Sequence, residues 1–219
     1  MKKSITSIIM IVVFCISCGT TEKKKEDLTM MPKPDVLNRL VWEAAMPQNP
    51  IKNQKPSWIT IYEDRSPKIY QTTPELYLKE LQDETIGKYG DIGSHFYIDK
   101  VGNIYEGRNI LTVGVSPHKN IKAKGHIFIC FLGDFNEKLS IEQRTIIKGK
   151  LHQLILWLLS ENHIQPDCIT GLRDFCNEDN PSDFIYYSFK NKVSMEEFQK
   201  VYEASFQRKN TLEYMKNKY

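Results

Sequence analysis

The chain has 219 residues, of which 41% are hydrophobic and 26% charged, and its formal net charge is +3. That length suffices for one domain of ordinary size plus a tail, and the composition fits a soluble globular body. Nucleic-acid binding needs a concentrated basic face, which neither the charge nor its distribution supplies, so no nucleic-acid partner is expected.

Lys2 and Lys3 precede an apolar run from Ile8 to Phe14, followed by Cys15-Ile16-Ser17-Cys18. A short basic region, an apolar stretch and a small residue before a cut predict an export signal over residues 1–17. The run is too short to span a bilayer, which takes about 20 residues. Ser17-Cys18 resembles a bacterial lipobox with Cys18 as the lipidated first residue of the mature chain, although Cys15 stands where Leu is usual. A plain secretory signal is the simpler alternative. Gly19 rather than Asp after Cys18 follows the usage of outer-membrane lipoproteins. The expected location is therefore the bacterial cell envelope, with the chain held to the outer membrane by its lipid. Residues 18–34 are polar, with Glu22-Lys23-Lys24-Lys25-Glu26-Asp27 and no apolar period, and read as a solvated tether.

The body is expected over residues 35–193. Ile59-Thr60-Ile61 reads as a strand. Thr73 and Pro74 open a helix carrying Leu76, Tyr77, Leu78 and Leu81. The stretch Asp91–Arg108 holds two runs rich in aromatic and β-branched residues around Gly102-Asn103, the pattern of a β-hairpin. Ile127–Leu132 is continuously apolar, as in a strand buried on both faces. Ser140 and Gln143 form a capping box before a long helix bearing Ile146, Ile147, Leu151, Leu154, Ile155 and Leu158. Ile169-Thr170 is a short strand, a helix is expected over Pro181–Val193, and residues 194–219 form a helical extension. This order predicts a mixed α/β domain with a central sheet flanked by helices. Phe198, Val201, Tyr202 and Phe206 give the extension one apolar face. It is expected to pack on its own body, with a protein partner as the alternative occupant.

The string DIGSHFYIDKVGNIYEGR at 91–108 resembles the hairpin of the peptidoglycan-recognition and type 2 N-acetylmuramoyl-L-alanine amidase family. Leu40-Val41-Trp42-Glu43-Ala44, the strand ending at Gly133-Asp134-Phe135, and Gly171-Leu172-Arg173-Asp174 resemble further family motifs. The resemblance implies an amidase-like domain, a groove for muropeptide, and a catalytic zinc held by two His and one Cys or Asp. At those three ligand positions stand Tyr62, Leu172 and Asn180, and Ser94 replaces a catalytic Tyr. Leu offers zinc nothing, Asn offers a neutral carbonyl, and Tyr would bind only as phenolate, against its ordinary pKa of about 10. Zinc and hydrolysis are therefore expected to be lost.

The expected groove residues are Tyr62, Ser94, His95, Arg108, Ser116, His118, Leu172 and Asn180. Arg108 would pair with a peptide carboxylate, or else with Glu106 or Asp91. The resemblance implies a peptidoglycan or muropeptide ligand. Two alternatives stay open: an amidase with a relocated metal, using Asp64, Asp174, Cys176, Glu178 or Asp179 with His95 or His118, and an inhibitor or immunity protein against a wall-cutting enzyme. Cys130 reads as a buried small hydrophobe, Cys168 and Cys176 as a possible disulfide, and His152 and His163 as surface or cap residues.

Overall fold

The computed structural model describes residues 31–49 and 51–218. The expected signal peptide and Cys18 lie outside the described residues. Five strands form one sheet: β1 (Trp58–Asp64), β2 (Phe96–Ile98), β3 (Ile104–Glu106), β4 (His126–Leu132) and β5 (Ile169–Gly171), in the order β3-β2-β4-β1-β5. Only the β2–β3 hairpin is antiparallel; β4 pairs parallel with β1 and β2, and β1 with β5. Four α-helices accompany them: α1 (Pro74–Tyr89), α2 (Ile141–Asn162), α3 (Asp183–Lys190) and α4 (Lys192–Lys218). The mixed α/β architecture is the one the element order predicts.

Side chains alternate across a strand, so β1 and β4 feed two different layers. Ile59, Ile61, Ile127, Ile129 and Phe131 join the core that α2, α3 and the start of α4 cover. Cys130 and Leu132 point to the opposite face, where Tyr77 and Leu78 of α1 meet Trp42 and Tyr97. The same side of β1 presents Thr60, Tyr62 and Asp64. This second face carries the groove.

The local signals explain the boundaries. The Thr73 hydroxyl accepts from the Leu76 amide at 3.3 Å, with Pro74 at the first helical position. In α2 the Ser140 hydroxyl accepts from the Gln143 amide at 3.1 Å, and the Gln143 carbonyl oxygen returns to the Ser140 amide at 2.9 Å. Ile146, expected inward, is 41% exposed. Its Cγ2 lies 2.8 Å from where a Cβ on Gly102 would sit, so the hairpin turn rests against α2 at this point. Gly102 also has φ +90°, so a side chain there would be strained as well as crowded.

The helix expected over 181–193 is shorter, and the extension's helix begins before residue 194. Asn191 causes the break: its backbone is extended, its side-chain oxygen accepts from the Ser194 amide at 3.0 Å, and its side-chain nitrogen donates to the Ser194 hydroxyl at 2.8 Å. A new helix is thereby capped before the old one can continue. Phe198 of α4 is fully buried beside the His152 ring at 5.1 Å, and Met195 and Val201 pack against the same core. The first half of α4 is thus part of the body, as expected, while Phe206 and Leu212 stay about half exposed.

Candidate functional site

A groove of about 350 Å³ opens where β1 and β4 reach their C-terminal ends, the edge at which open parallel sheets place ligands. Tyr62, Asp64, Tyr97 and Cys130 come from the sheet, and Leu81 and Thr85 from α1. Val115, Ser116 and Pro117 form one wall, and Leu172, Glu178 and Asn180 another.

The three positions that the resemblance assigns to metal ligands do converge here, and each is occupied otherwise. The Tyr62 hydroxyl shares a 2.7 Å hydrogen bond with the Ser94 hydroxyl. Burial, with Cys130 and Tyr97 beside it, pushes the Tyr62 phenol well above its ordinary range, so it stays neutral. Leu172 is almost fully buried and packs with Ile121 and Phe128. Asn180 spends both ends of its amide on β1, its oxygen accepting from the Glu63 amide at 2.7 Å and its nitrogen donating to the Glu63 carbonyl at 2.9 Å. A neutral phenol, an isobutyl group and a committed amide do not fit a zinc ion.

Of the expected groove residues, Tyr62, Ser116, Leu172 and Asn180 line the groove. Ser94 lies fully buried beneath Tyr62. His118 belongs to the rim, where Ser116 donates to its carbonyl at 2.7 Å.

His95 and Arg108 are not in the groove. His95 is fully buried: its Nδ1 accepts from the Phe128 amide at 2.9 Å, which leaves Nε2 to donate to the Thr112 carbonyl at 2.9 Å. Burial lowers its pKa to about 4. Arg108 is 3% exposed and donates to the backbone carbonyls of Ile92, Val113, Tyr89 and Asp91 at 2.8–3.0 Å. Its guanidinium is spent on these carbonyls and not on the carboxylates of Glu106 or Asp91. The Asp91 carboxylate is taken by Arg39 through two bonds of 2.9 and 3.0 Å, and by the Gln82 amide at 2.7 Å. Arg39, far away in sequence, outcompetes Arg108 because its planar fork meets both carboxylate oxygens.

Sequence reasoning missed Glu63 and Arg65. The Glu63 carboxylate is buried, accepts from the Ser182 amide at 3.0 Å and pairs with Arg65 at 2.8 Å. Arg65 also donates to the Asp179 carbonyl at 2.6 Å, so this pair ties the end of β1 to the loop that carries Asn180. An acid inside an apolar strand with an Arg two residues later was the available signal. Cys130 is buried as expected. Cys168 and Cys176 are free thiols packed in different apolar clusters, not a disulfide. His163 ends α2 in the left-handed region, and His152 is covered by α4.

The fold is similar to that of solved peptidoglycan recognition proteins and N-acetylmuramoyl-L-alanine amidases. Drosophila PGRP-LB superposes with a TM-score of 0.59 at 22% identity, covering 73% of this chain and 95% of that one. A mutant of the same fly protein in complex with tracheal cytotoxin gives 0.58 at 22% identity, covering 72% and 94%. The endolysin amidase LysCS from Clostridium intestinale gives 0.53 at 23% identity, covering 70% and 90%. No protein-family model and no curated protein matches the chain.

Two outcomes follow from the buried basic side chains Arg108 and His95. Arg108→Ala should lower stability in urea unfolding by roughly 3–5 kcal/mol, because four carbonyls lose a charged donor at once. Arg108→Lys should recover little, since one ammonium cannot span them. His95 has a depressed folded pKa, so the unfolded chain takes up its proton first. Stability should fall as pH drops below about 6.5 and level off near pH 4, by up to roughly 3 kcal/mol. His126, also held down by burial, adds a slope of the same sign. Urea midpoints measured across that range should show the loss, and His95→Gln should flatten it.

Proposed function

We propose that this chain is a lipid-anchored recognition module of the bacterial cell envelope. It holds stem-peptide muropeptide in the groove and does not hydrolyse it through zinc at the Tyr62, Leu172 and Asn180 positions. The observation that carries this reading is an open groove beside ligand positions that are closed: Asn180 is bonded at both ends, Tyr62 is tied to Ser94, and Leu172 is packed. The tracheal cytotoxin complex of a structurally similar protein supports a muropeptide as the class of ligand. Within the groove, the half-buried Tyr62 supplies flat apolar area. Arg65 supplies a cation, already shared with Glu63 and with Asp134 at 3.6 Å.

A second reading, an inhibitor or immunity protein, is favoured by one observation: Phe206 and Leu212 remain about half exposed on α4 and could meet a protein partner.

Calorimetry with purified stem-peptide muropeptides should show saturable binding. Thr85→Trp, which fills the groove from α1, should weaken it at least tenfold, equivalent to about 1.4 kcal/mol. Incubation with cell walls should release no L-alanine-linked peptide, with or without added zinc. No binding at millimolar muropeptide would favour the protein-partner reading, and zinc-dependent peptide release would overturn the non-hydrolytic one.

The anchor is tested separately. Cys18→Ala should leave the signal uncut or move the protein out of the membrane fraction, because two or more acyl chains are what hold such a protein firmly. Continued lipid labelling of that variant would show the anchor to be elsewhere.

A further inference from the structure

The rim of the groove carries a cluster that includes Glu178 of the groove wall and uses none of the Tyr62, Leu172 and Asn180 positions. His118, Cys176 and Glu178 bring a ring nitrogen, a thiol sulfur and a carboxylate oxygen within 4.8 Å of one another. They belong to two segments: the loop between β3 and β4 supplies His118, and the loop between β5 and α3 supplies the other two. From this geometry we propose that His118, Cys176 and Glu178 form a binding site for a zinc-like divalent transition ion, which fastens the two walls of the groove together.

The donor set selects the ion. Thiolate with imidazole favours zinc over the hard cations magnesium and calcium, which prefer all-oxygen cages. Zinc bonds of about 2.0–2.3 Å put tetrahedral donors roughly 3.3–3.7 Å apart. The His118 Nε2 to Glu178 Oε1 distance is 4.0 Å and all three donors lie within 4.8 Å of one another, so the set closes on an ion by a contraction of up to roughly 1.5 Å. Glu178 is exposed, and its side chain can supply that movement at little steric cost. The two segments are already held near each other, since the Asn120 side chain donates to the Phe175 carbonyl at 3.0 Å.

The protons balance as follows. The Cys176 thiol donates to the Leu172 carbonyl at 3.3 Å without metal, and its proton passes to solvent when sulfur binds. The His118 Nδ1 accepts from the Asn120 amide at 3.2 Å, which places the neutral ring's proton on Nε2, facing Glu178. Binding at Nε2 moves that proton to Nδ1 and gives up the Asn120 contact. Three protein donors leave a fourth position for water.

This inference uses none of Tyr62, Leu172 or Asn180 and stands independently of what the groove holds. The full-length protein, reduced and stripped with a chelator, should take up one equivalent of zinc. Cobalt substitution should give the visible bands of a tetrahedral ion and a near-ultraviolet thiolate charge-transfer band. His118→Ala and Cys176→Ser should each weaken affinity by more than the roughly 10–100-fold that outer-shell partners cost, and Cys176→Ser should abolish the charge-transfer band. Cys168→Ser should leave the spectrum unchanged. Absence of stoichiometric binding, or a charge-transfer band that survives Cys176→Ser, would overturn the proposal.

Discussion

A buried guanidinium that bonds only to backbone holds this structure in its shape. Arg108 collects carbonyls from Tyr89 at the end of α1, from Asp91 and Ile92 before β2, and from Val113 in the loop that becomes the groove wall. None of these carbonyls has a strand or helix partner in that role, and buried polar groups left unpaired are costly. The Asp91 carboxylate completes the arrangement from the other side, binding Arg39, Gln82 and the Ile92 amide. Two cations and one acid thus fasten the N-terminal segment, α1 and the hairpin to one another. The position of Val115–Pro117, and with it one side of the groove, depends on that fastening.

The opposite wall is set by a different device. Asn180 bonds to the backbone of Glu63 as a neighbouring strand would, and the Glu63 carboxylate caps the Ser182 amide at the start of α3. Asn180 thus ties the loop before α3 to the end of β1. Tyr62 plays a comparable part, its phenol filling space above Ser94 and keeping that buried hydroxyl paired. Tyr62, Leu172 and Asn180 thus each carry a packing or hydrogen-bonding role in the groove wall.

Helix α4 shows how local capping and tertiary burial divide an element. Asn191 starts it, and Phe198 fixes its first half by burial against α2. Burying such a ring contributes roughly 1.5–3 kcal/mol, enough to order a few turns. Beyond Val201 no described side chain of the helix is buried to that degree.

Much of the fold was legible along the chain because its signals are local. Thr73-Pro74, the Ser140–Gln143 box, the turn at Gly102-Asn103 and the continuous apolarity of Ile127–Leu132 each act within a few residues, so the order of elements and the mixed α/β class could be read from them. That positions 62, 172 and 180 carry no imidazole or thiolate was likewise a matter of residue identity. Tertiary structure alone decided which charges find each other. Asp91 was one of the partners open to Arg108, yet it bonds Arg39, 52 residues away, and Arg108 turns to carbonyls. His95 and Ser116 sit in comparable loop-flanking positions, but one is sealed beneath Phe128 and the other faces the groove. His118, Cys176 and Glu178 stood among the sequence candidates for a relocated metal, but only the tertiary structure picked these three out of that set. Hydrogen bonds and ion pairs depend on distance in space, and sequence spacing reports that distance only within a helix turn or a hairpin.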